Sequence, residues 1–448
     1  MSAAGNGRKG RGALVALVVM LAAGLLAQAS QAAIGEQAQR RFLDPSFGSG
    51  GKVDLVPRRG IFFGTDIAKQ DDGRLVVAGS FSRGNRNRFL LARFLRNGAA
   101  DRSFGGNGRV KIGFGGASGT IQGEAVAIQG DGRIVVAGEA GGQIALARLL
   151  ADGALDRSFG EDGRAQTAFP GGSAGAQSIA IQADGAIVAA GTVEVPDGQS
   201  ESVSFALARY LPDGRLDRSF GSAGTVSTGF GVPGEDLADA NVVLVQPDGA
   251  IVAGGTLNNP FGGGGAFALA RYAADGSLDP SFNGSGKVTT VVGNEGGIVD
   301  MYLDDDGRLL SAGTNAVPSS PGLRSFFTLI RYLPDGSLDD SWGKDGIKTT
   351  GFAGSDGPYA TAIAAIGGGR SFVAGQIDAT PSGQQFGLAT YESDGALDPG
   401  FGVGGRARTR FGNRSPSDLP GGIVVQAGKP VVAGASAKGI ALARYLRP

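Results

Sequence analysis

The 448-residue chain has no cysteine and no histidine. Without cysteine there is no disulfide framework, no thiol nucleophile and no lipid-bearing cysteine behind a leader. Without histidine as well, Cys/His zinc sites, Ser-His-Asp triads and imidazole bases are excluded, which leaves carboxylates, Lys, Tyr and Ser/Thr for chemistry. On composition, then, the chain is expected not to be an enzyme. Large aromatics are few, with one tryptophan and seven tyrosines. A positive field is missing too: 41 Lys and Arg balance 41 Asp and Glu, so nothing would draw nucleic acid.

Nor is there an apolar run long enough to span a bilayer. The longest, ALVALVVMLAAGLLA at 13–27, holds 15 residues, short of the roughly 18 to 20 a transmembrane helix needs. Arg8, Lys9 and Arg11 precede it and AQASQAA follows. The first 33 residues therefore read as a secretory signal peptide, cleaved within about residues 29–33. The mature chain, from residue 34, is expected to be periplasmic or extracellular, without a membrane span, and monomeric.

What the sequence has in abundance is glycine, 82 residues with 19 prolines. That level suggests low complexity unless a period organises it. Here one does. YLPDGRLDRSFGSAG at 210–224 returns as YLPDGSLDDSWG at 332–343, YAADGSLDPSFN at 272–283, LLADGALDRSFG at 149–160 and YESDGALDPGFG at 391–402. The aromatic of this LDxSFG element sits at Phe47, Phe104, Phe159, Phe220, Phe282, Trp342 and Phe401, at intervals of 57, 55, 61, 62, 60 and 59.

Two further motifs keep the same order. AVAIQGDGRIVVAG at 125–138 is a pair of apolar runs around an Asp-Gly turn, a hairpin signal. Its last glycine is read as Gly79, Gly138, Gly191, Gly254, Gly313, Gly375 and Gly434. FALARYL at 205–211 reads as a third strand, and GKVDLV at 51–56 or GKVTTVV at 286–292 as a fourth. No stretch of the mature chain keeps a 3.6-residue period for long without a glycine, and β-branched residues fill the apolar runs. The expected fold is all-β: a single seven-bladed β-propeller over 34–448, with four antiparallel strands in each repeat of about 59 residues. A nonapeptide β-helix would need a period near nine, which is absent.

The combination of QxDGRIVVAG, FALARYLPDG and SLDPSFG resembles the bacterial delta-60 repeat proteins, from about Leu43 to Leu446. The resemblance implies a secreted, propeller-like fold and carries no activity with it. Local departures are Thr390 in place of the third-strand arginine, Trp342 for phenylalanine, and a shortened QAGK turn at 426–429.

The mature chain starts on a fourth strand and finishes on a third. Residues 51–56 are thus expected to complete the last sheet in a Velcro-type closure, with Asp44 beside Arg444. This would remove two open sheet edges. Arg93, Arg148, Arg209, Arg271, Arg331 and Arg444 share one motif position. Asp101, Asp156, Asp217, Asp279 and Asp339 each follow the local arginine by eight residues. A role needed in every repeat belongs to the fold, so these are expected to brace hairpin corners. The aromatic of LDxSFG is expected to be a packing wedge, leaving few large rings to stack on carbohydrate.

Loops between second and third strands vary, as TVEVPDGQSESVS at 192–204 and TNAVPSSPGLRSF at 314–326 illustrate. Binding is expected on that face. The first strands are expected to line a central channel and to open on Asp66, Glu124, Gln177, Asn241, Asp300 and Thr361. The candidate ligand-binding residues are Asp66, Glu124 and Asp300, with Glu235, Asp236 and Asp239 from the loop GVPGEDLADAN. Calcium is a conceivable occupant through oxygen ligands, although no DxDxDG loop is present. The expected function is a binding or scaffolding module for a protein or small ligand. A hydrolase or lyase using channel carboxylates, with or without calcium, is the alternative.

Overall fold

The computed structural model describes residues 41–446 apart from 116–118, 198–199, 232–236, 259–263, 321, 356, 380–382 and 413–416. The expected leader and its cleavage region lie outside the described residues. Among the described residues every regular element is a strand, and no helix is long and apolar enough to cross a membrane.

After β1 (Lys52–Leu55), the first repeat gives β2 (Ile61–Lys69), β3 (Leu75–Arg83), β4 (Arg86–Phe94) and β5 (Arg109–Ile112). The second gives β6 (Ile121–Ile128), β7 (Ile134–Ala140), β8 (Ile144–Leu149) and β9 (Arg164–Thr167). The third holds β10 (Ser173–Ile181), β11 (Ile187–Asp197), β12 (Ser200–Tyr210) and β13 (Thr225–Thr228), and the fourth β14 (Leu237–Val245), β15 (Ile251–Asn258), β16 (Gly265–Tyr272) and β17 (Lys287–Thr290). The fifth holds β18 (Glu295–Leu303), β19 (Leu309–Pro318), β20 (Leu323–Tyr332) and β21 (Ile347–Thr350), and the sixth β22 (Tyr359–Gly367), β23 (Arg370–Ala379), β24 (Gly383–Tyr391) and β25 (Arg406–Thr409). The last has β26 (Leu419–Gln426), β27 (Lys429–Ser436) and β28 (Gly439–Arg444).

Each repeat folds as an antiparallel meander. The third and fourth share one sheet only through a single parallel bridge, Val203 to Leu237. The last sheet runs β1-β28-β27-β26, so its outer strand comes from the other end of the chain. The meander follows from the turns. Gln70 accepts a bond from the Gly73 amide at 2.8 Å while the Asp72 carboxylate accepts from the Arg74 amide at 2.9 Å, an Asx-type turn that needs the positive φ of Gly73 (+78°).

Apolar side chains alternate across each sheet and bury themselves between consecutive sheets. Val76, Ala78, Phe89 and Leu91 of the first repeat meet Ile134, Val136, Ala145 and Ala147 of the second. Val431, Ala433, Ile440 and Leu442 of the last repeat meet Leu75, Val77, Leu90 and Ala92 of the first in the same way. Tyrosine hydroxyls tie neighbouring sheets further: Tyr210, Tyr272 and Tyr332 donate to Thr167, Thr228 and Thr290 at 2.7, 2.9 and 3.0 Å.

The LDxSFG element is a corner whose every letter has a contact. Asp156 accepts the amide and hydroxyl of Ser158 on one oxygen, at 3.1 and 2.6 Å, and Arg148 Nε on the other at 2.8 Å. The Arg148 guanidinium lies 4.6 Å from the centre of the Phe159 ring. Its Nη1 donates to the Pro212 carbonyl in the corner of the next sheet. Burial works to raise the Asp156 carboxyl, but Ser158 and Arg148 hold it below the usual range. The glycine after the aromatic has φ between 51° and 62° in the other repeats; in the fourth Asn283 takes it at 53°, a conformation asparagine tolerates.

The same corner explains Thr390. Each arginine reaches the corner joining the third and fourth strands of the following sheet: Arg271 Nη1 reaches the Pro334 carbonyl at 2.6 Å, and Arg331 Nη1 that of Ser393 at 3.4 Å. For the sixth repeat the following sheet has no such corner, because its third and fourth strands, β28 and β1, are not joined by a turn. An arginine at 390 would lack that acceptor. Asp44 and Arg444 do pair, at 2.9 Å, with Lys429 Nζ at 2.6 Å from the same carboxylate oxygen, and Arg444 Nη1 reaches the Arg96 carbonyl at 2.6 Å.

Candidate functional site

The first strand of every repeat contains a β-bulge, and the bulge corrects the expected alignment of the site. In the first two repeats the register slips between Gly64 and Asp66 and between Gly123 and Ala125. The extra residue is therefore Thr65, Glu124, Gln177, Asn241, Val299 or Thr361 in the first six repeats. Asp66 and Asp300 stand one place further along than Glu124. They also lie mid-strand rather than at the start of the strand, where they were expected. The glycine facing the bulge is required by contact: a Cβ on Gly79 would sit 1.8 Å from the Phe63 carbonyl oxygen. In the fourth repeat this residue is Gly255, not Gly254, since a Cβ on Gly255 would sit 1.8 Å from the Asp239 oxygen while Gly254 has nothing nearer than 3.2 Å.

At the position after the bulge, the side chain clamps the neighbouring sheet. Asp66 accepts the Ile67 amide at 2.7 Å on one oxygen and the Val126 amide of the next repeat at 2.9 Å on the other. Asp300 does the same with Met301 and Ile363, both at 2.8 Å. Ser178 accepts the Val243 amide at 3.2 Å. Both oxygens of Asp66 and of Asp300 are thus occupied by amides. Among the described residues no three acidic side chains converge as a metal site, so the calcium reading finds no support in this arrangement. Asp239 is held by Thr192 Oγ1 at 3.2 Å and Asn258 Nδ2 at 3.3 Å. Glu235 and Asp236 lie outside the described residues.

Burial raises these carboxyls. Asp66 is pushed up to about 6, its two amide bonds only partly opposing the loss of water. Glu124 is pushed up to about 7 by burial and by the nearby charges of Glu139 and Asp66. Asp300 is pushed up to about 7 by burial, against its amide bonds and with a contribution from Asp66. The folded protein therefore binds more protons than the unfolded chain between about pH 4 and 7. The stability these groups allow is full at the acid end of that window and is lost as pH rises through it. The corner aspartates, held low, act oppositely: their contribution is present above about pH 4 and is lost below it. Melting temperature is expected to be highest at mildly acid pH and to fall toward pH 8, with Asp300→Asn flattening that fall. A melting temperature rising from pH 5 to pH 8 would contradict the assignment.

Two places before the bulge the first strands carry Phe63, Gln122, Gly175, Asp239, Gly297, Tyr359 and Leu419, a different residue in almost every repeat. Phe63, Tyr359 and Leu419 are exposed. Gly175 and Gly297 put no side chain in this row, and the space is taken by Glu139 and Thr256. Beside Gly297 opens a cleft of about 440 Å³ at the variable-loop end of the fourth to sixth repeats, lined by Thr256, Asn258, Glu295, Val299, Thr314 and Tyr359 with several glycines. Gly297 cannot carry a side chain there, since its Cβ would meet Thr256 Oγ1 at 1.9 Å. Thr314 Oγ1 accepts the Ala360 amide at 3.0 Å, fixing one wall to the other. Sequence reading passed over this cleft. The signal available was Tyr359, one of only two tyrosines outside the third strands.

Comparison with known proteins bears on the fold. The family model described as a domain of unknown function (DUF5122) beta-propeller matches residues 70–104, 129–159, 182–220 and 246–282. No curated protein matches the chain. Among solved structures, an ulvan lyase of polysaccharide lyase family PL25 is 11% identical, covering 88% of this chain and 96% of its own, at a TM-score of 0.49. A catalytically inactive virginiamycin B lyase from Staphylococcus aureus is 10% identical, covering 88% and 99%, at 0.43. A gluconolactonase from Xanthomonas campestris is 12% identical, covering 88% and 100%, at 0.38. Such likeness assigns no activity to this chain. The expectation that it is not an enzyme is corrected all the same: the solved structures with this likeness include lyases and a gluconolactonase, so the lack of histidine and cysteine does not exclude an enzyme. With four matched repeats and its succession of four-stranded antiparallel meanders, the chain is a repeat protein of the β-propeller kind.

Proposed function

We propose that this chain is an exported, closed seven-bladed propeller of the delta-60 repeat type that binds a small ligand at its variable-loop face, in the cleft beside Gly297 and Tyr359. Closure is supported by the β1–β28 pairing, the Asp44–Arg444 pair and the apolar cluster shared by the last and first repeats. The observation that carries the binding reading is the contrast between the two ends of the sheets. The corner residues recur because each holds its neighbour, whereas the row from Phe63 to Leu419 differs from repeat to repeat and opens a cleft. Selection for folding repeats a residue; a single ligand breaks the repetition.

A thermal-shift panel of small polar compounds tests this. A compound that raises the melting temperature of the unmodified protein is expected to lose that effect with Tyr359→Ala and with Asn258→Ala, neither of which should change the melting temperature of the free protein by much. A shift that survives both substitutions, or one abolished only by changes at the PDG corners, places binding elsewhere.

A second reading, a hydrolase or lyase, is favoured by Glu124 specifically. Among the described residues no hydrogen bond or ion pair is recorded for its carboxyl, which is pushed up to about 7 and so suits proton transfer near neutral pH. If a bound compound is turned over, Glu124→Gln is expected to lower the rate by roughly 10²- to 10⁴-fold while leaving binding intact. An unchanged rate removes Glu124 from the chemistry.

A further inference from the structure

We infer that the cleft beside Tyr359 accepts a neutral or amine-bearing sugar ring and rejects an acidic one, an inference that rests on the binding reading above. Three features on the same wall-and-floor arrangement lead to it. The Tyr359 side chain, 46% exposed, presents a ring at the edge of the cleft. A flat π-face packs against the apolar C–H face of a pyranose at little conformational cost, and the phenol adds a polar tip.

The remaining polar groups are neutral or anionic. Thr314 Oγ1 accepts an amide bond and so keeps its own hydrogen to donate. Asn258 uses its Nδ2 on Asp239, and among the described residues no donor is placed on its carbonyl oxygen, which can take a ligand hydroxyl. Glu295 is exposed at the rim and offers a carboxylate that pairs with two hydroxyls or with an ammonium. Gly264, Gly265, Gly296 and Gly297 leave the floor with backbone groups and no side chains.

No Lys or Arg lines the cleft among the described residues. An acidic sugar would bring its carboxylate beside Glu295 and within the field of Asp239, with no cation to compensate, and like charges at such range cost binding. An amine-bearing sugar gains from the same charges. The volume of about 440 Å³ lies in the range of about 300–1,000 Å³ typical of small-molecule sites.

Calorimetric titration of the full chain with three tetramers tests the class: cellotetraose as the neutral probe, the tetramer of chitosan as the amine-bearing probe, and tetragalacturonate as the acidic probe. The expected result is binding of one or both of the first two, weakened at least tenfold by Tyr359→Ala and largely restored by Tyr359→Phe. Glu295→Gln is expected to weaken the chitosan tetramer more than cellotetraose. Tighter or equal binding of tetragalacturonate overturns the inference, as does binding of the first two that ignores Tyr359→Ala. Failure of all three probes overturns it as well. In that event, a thermal shift from some other compound that Tyr359→Ala abolishes would show that the cleft binds and that only the ligand class is wrong.

Discussion

Deletion of residues 34–55 is expected to lower the melting temperature by roughly 10 °C and to broaden the transition, the largest change predicted for any alteration of the ends. The segment carries β1, which pairs residue by residue with β28 from Lys52–Ala443 to Leu55–Ile440. It also buries Leu43 and Phe47, and supplies Asp44, which is 2% exposed and holds both Lys429 and Arg444. Losing two buried apolar side chains costs about 2–3 kcal/mol each, and stripping a buried cation of its partner about 3–5 kcal/mol. The comparison is made by calorimetry on chains beginning at residue 34 and at residue 56. Superimposable melting curves would show that the N-terminal strand is dispensable and the closed ring incorrect.

Arg148→Ala is expected to destabilise the protein by up to about 3–5 kcal/mol, because the buried Asp156 would lose its closer, buried cation and keep only the half-exposed Arg133 at 3.1 Å. The pair is 7% exposed on each side, and the guanidinium also covers Phe159 and bonds across to the next corner. Arg271→Ala, at a pair exposed to 12% and 24%, is expected to cost less, since water can solvate the abandoned Asp279. Thr390→Arg, which restores the repeated residue, is expected to bring no gain because the next sheet offers no corner carbonyl to receive it. Urea unfolding of the three variants gives the order. Equal losses for Arg148→Ala and Arg271→Ala, or a stabilised Thr390→Arg, would contradict the account.

Much of this fold was legible because its causes are local and repeated. Asp-Gly turns, β-branched runs and LDxSFG corners each state a conformation, and stating it in every repeat leaves one consistent architecture. The candidate site was far less legible. A bulge inserts one residue without any residue type announcing it, so Asp66, Glu124 and Asp300 look equivalent in the sequence but stand at two different positions. The glycine pair Gly254–Gly255 hid the same offset. Whether a carboxylate is free also depends on the neighbouring sheet: the amides of Val126 and Ile363 claim Asp66 and Asp300, across roughly one repeat of chain. The cleft at Gly297 was invisible for a similar reason. Its lining comes from three repeats, and four of the residues that line it are glycines, which announce no site.

The sheet that draws its strands from both ends has a consequence for the order of events during synthesis. Every other meander is complete once its own residues have emerged, so those sheets can form and stack in the direction of translation. β1 emerges early and has no partner until β28 follows it. For most of the time that the chain is being delivered it is a strand in waiting. At four residues it is too short to recruit another chain effectively. The last contact formed is thus also the one of greatest sequence separation, and in the closed ring proposed above it would turn an open stack of sheets, free to grow or to associate at either end, into a particle of fixed size.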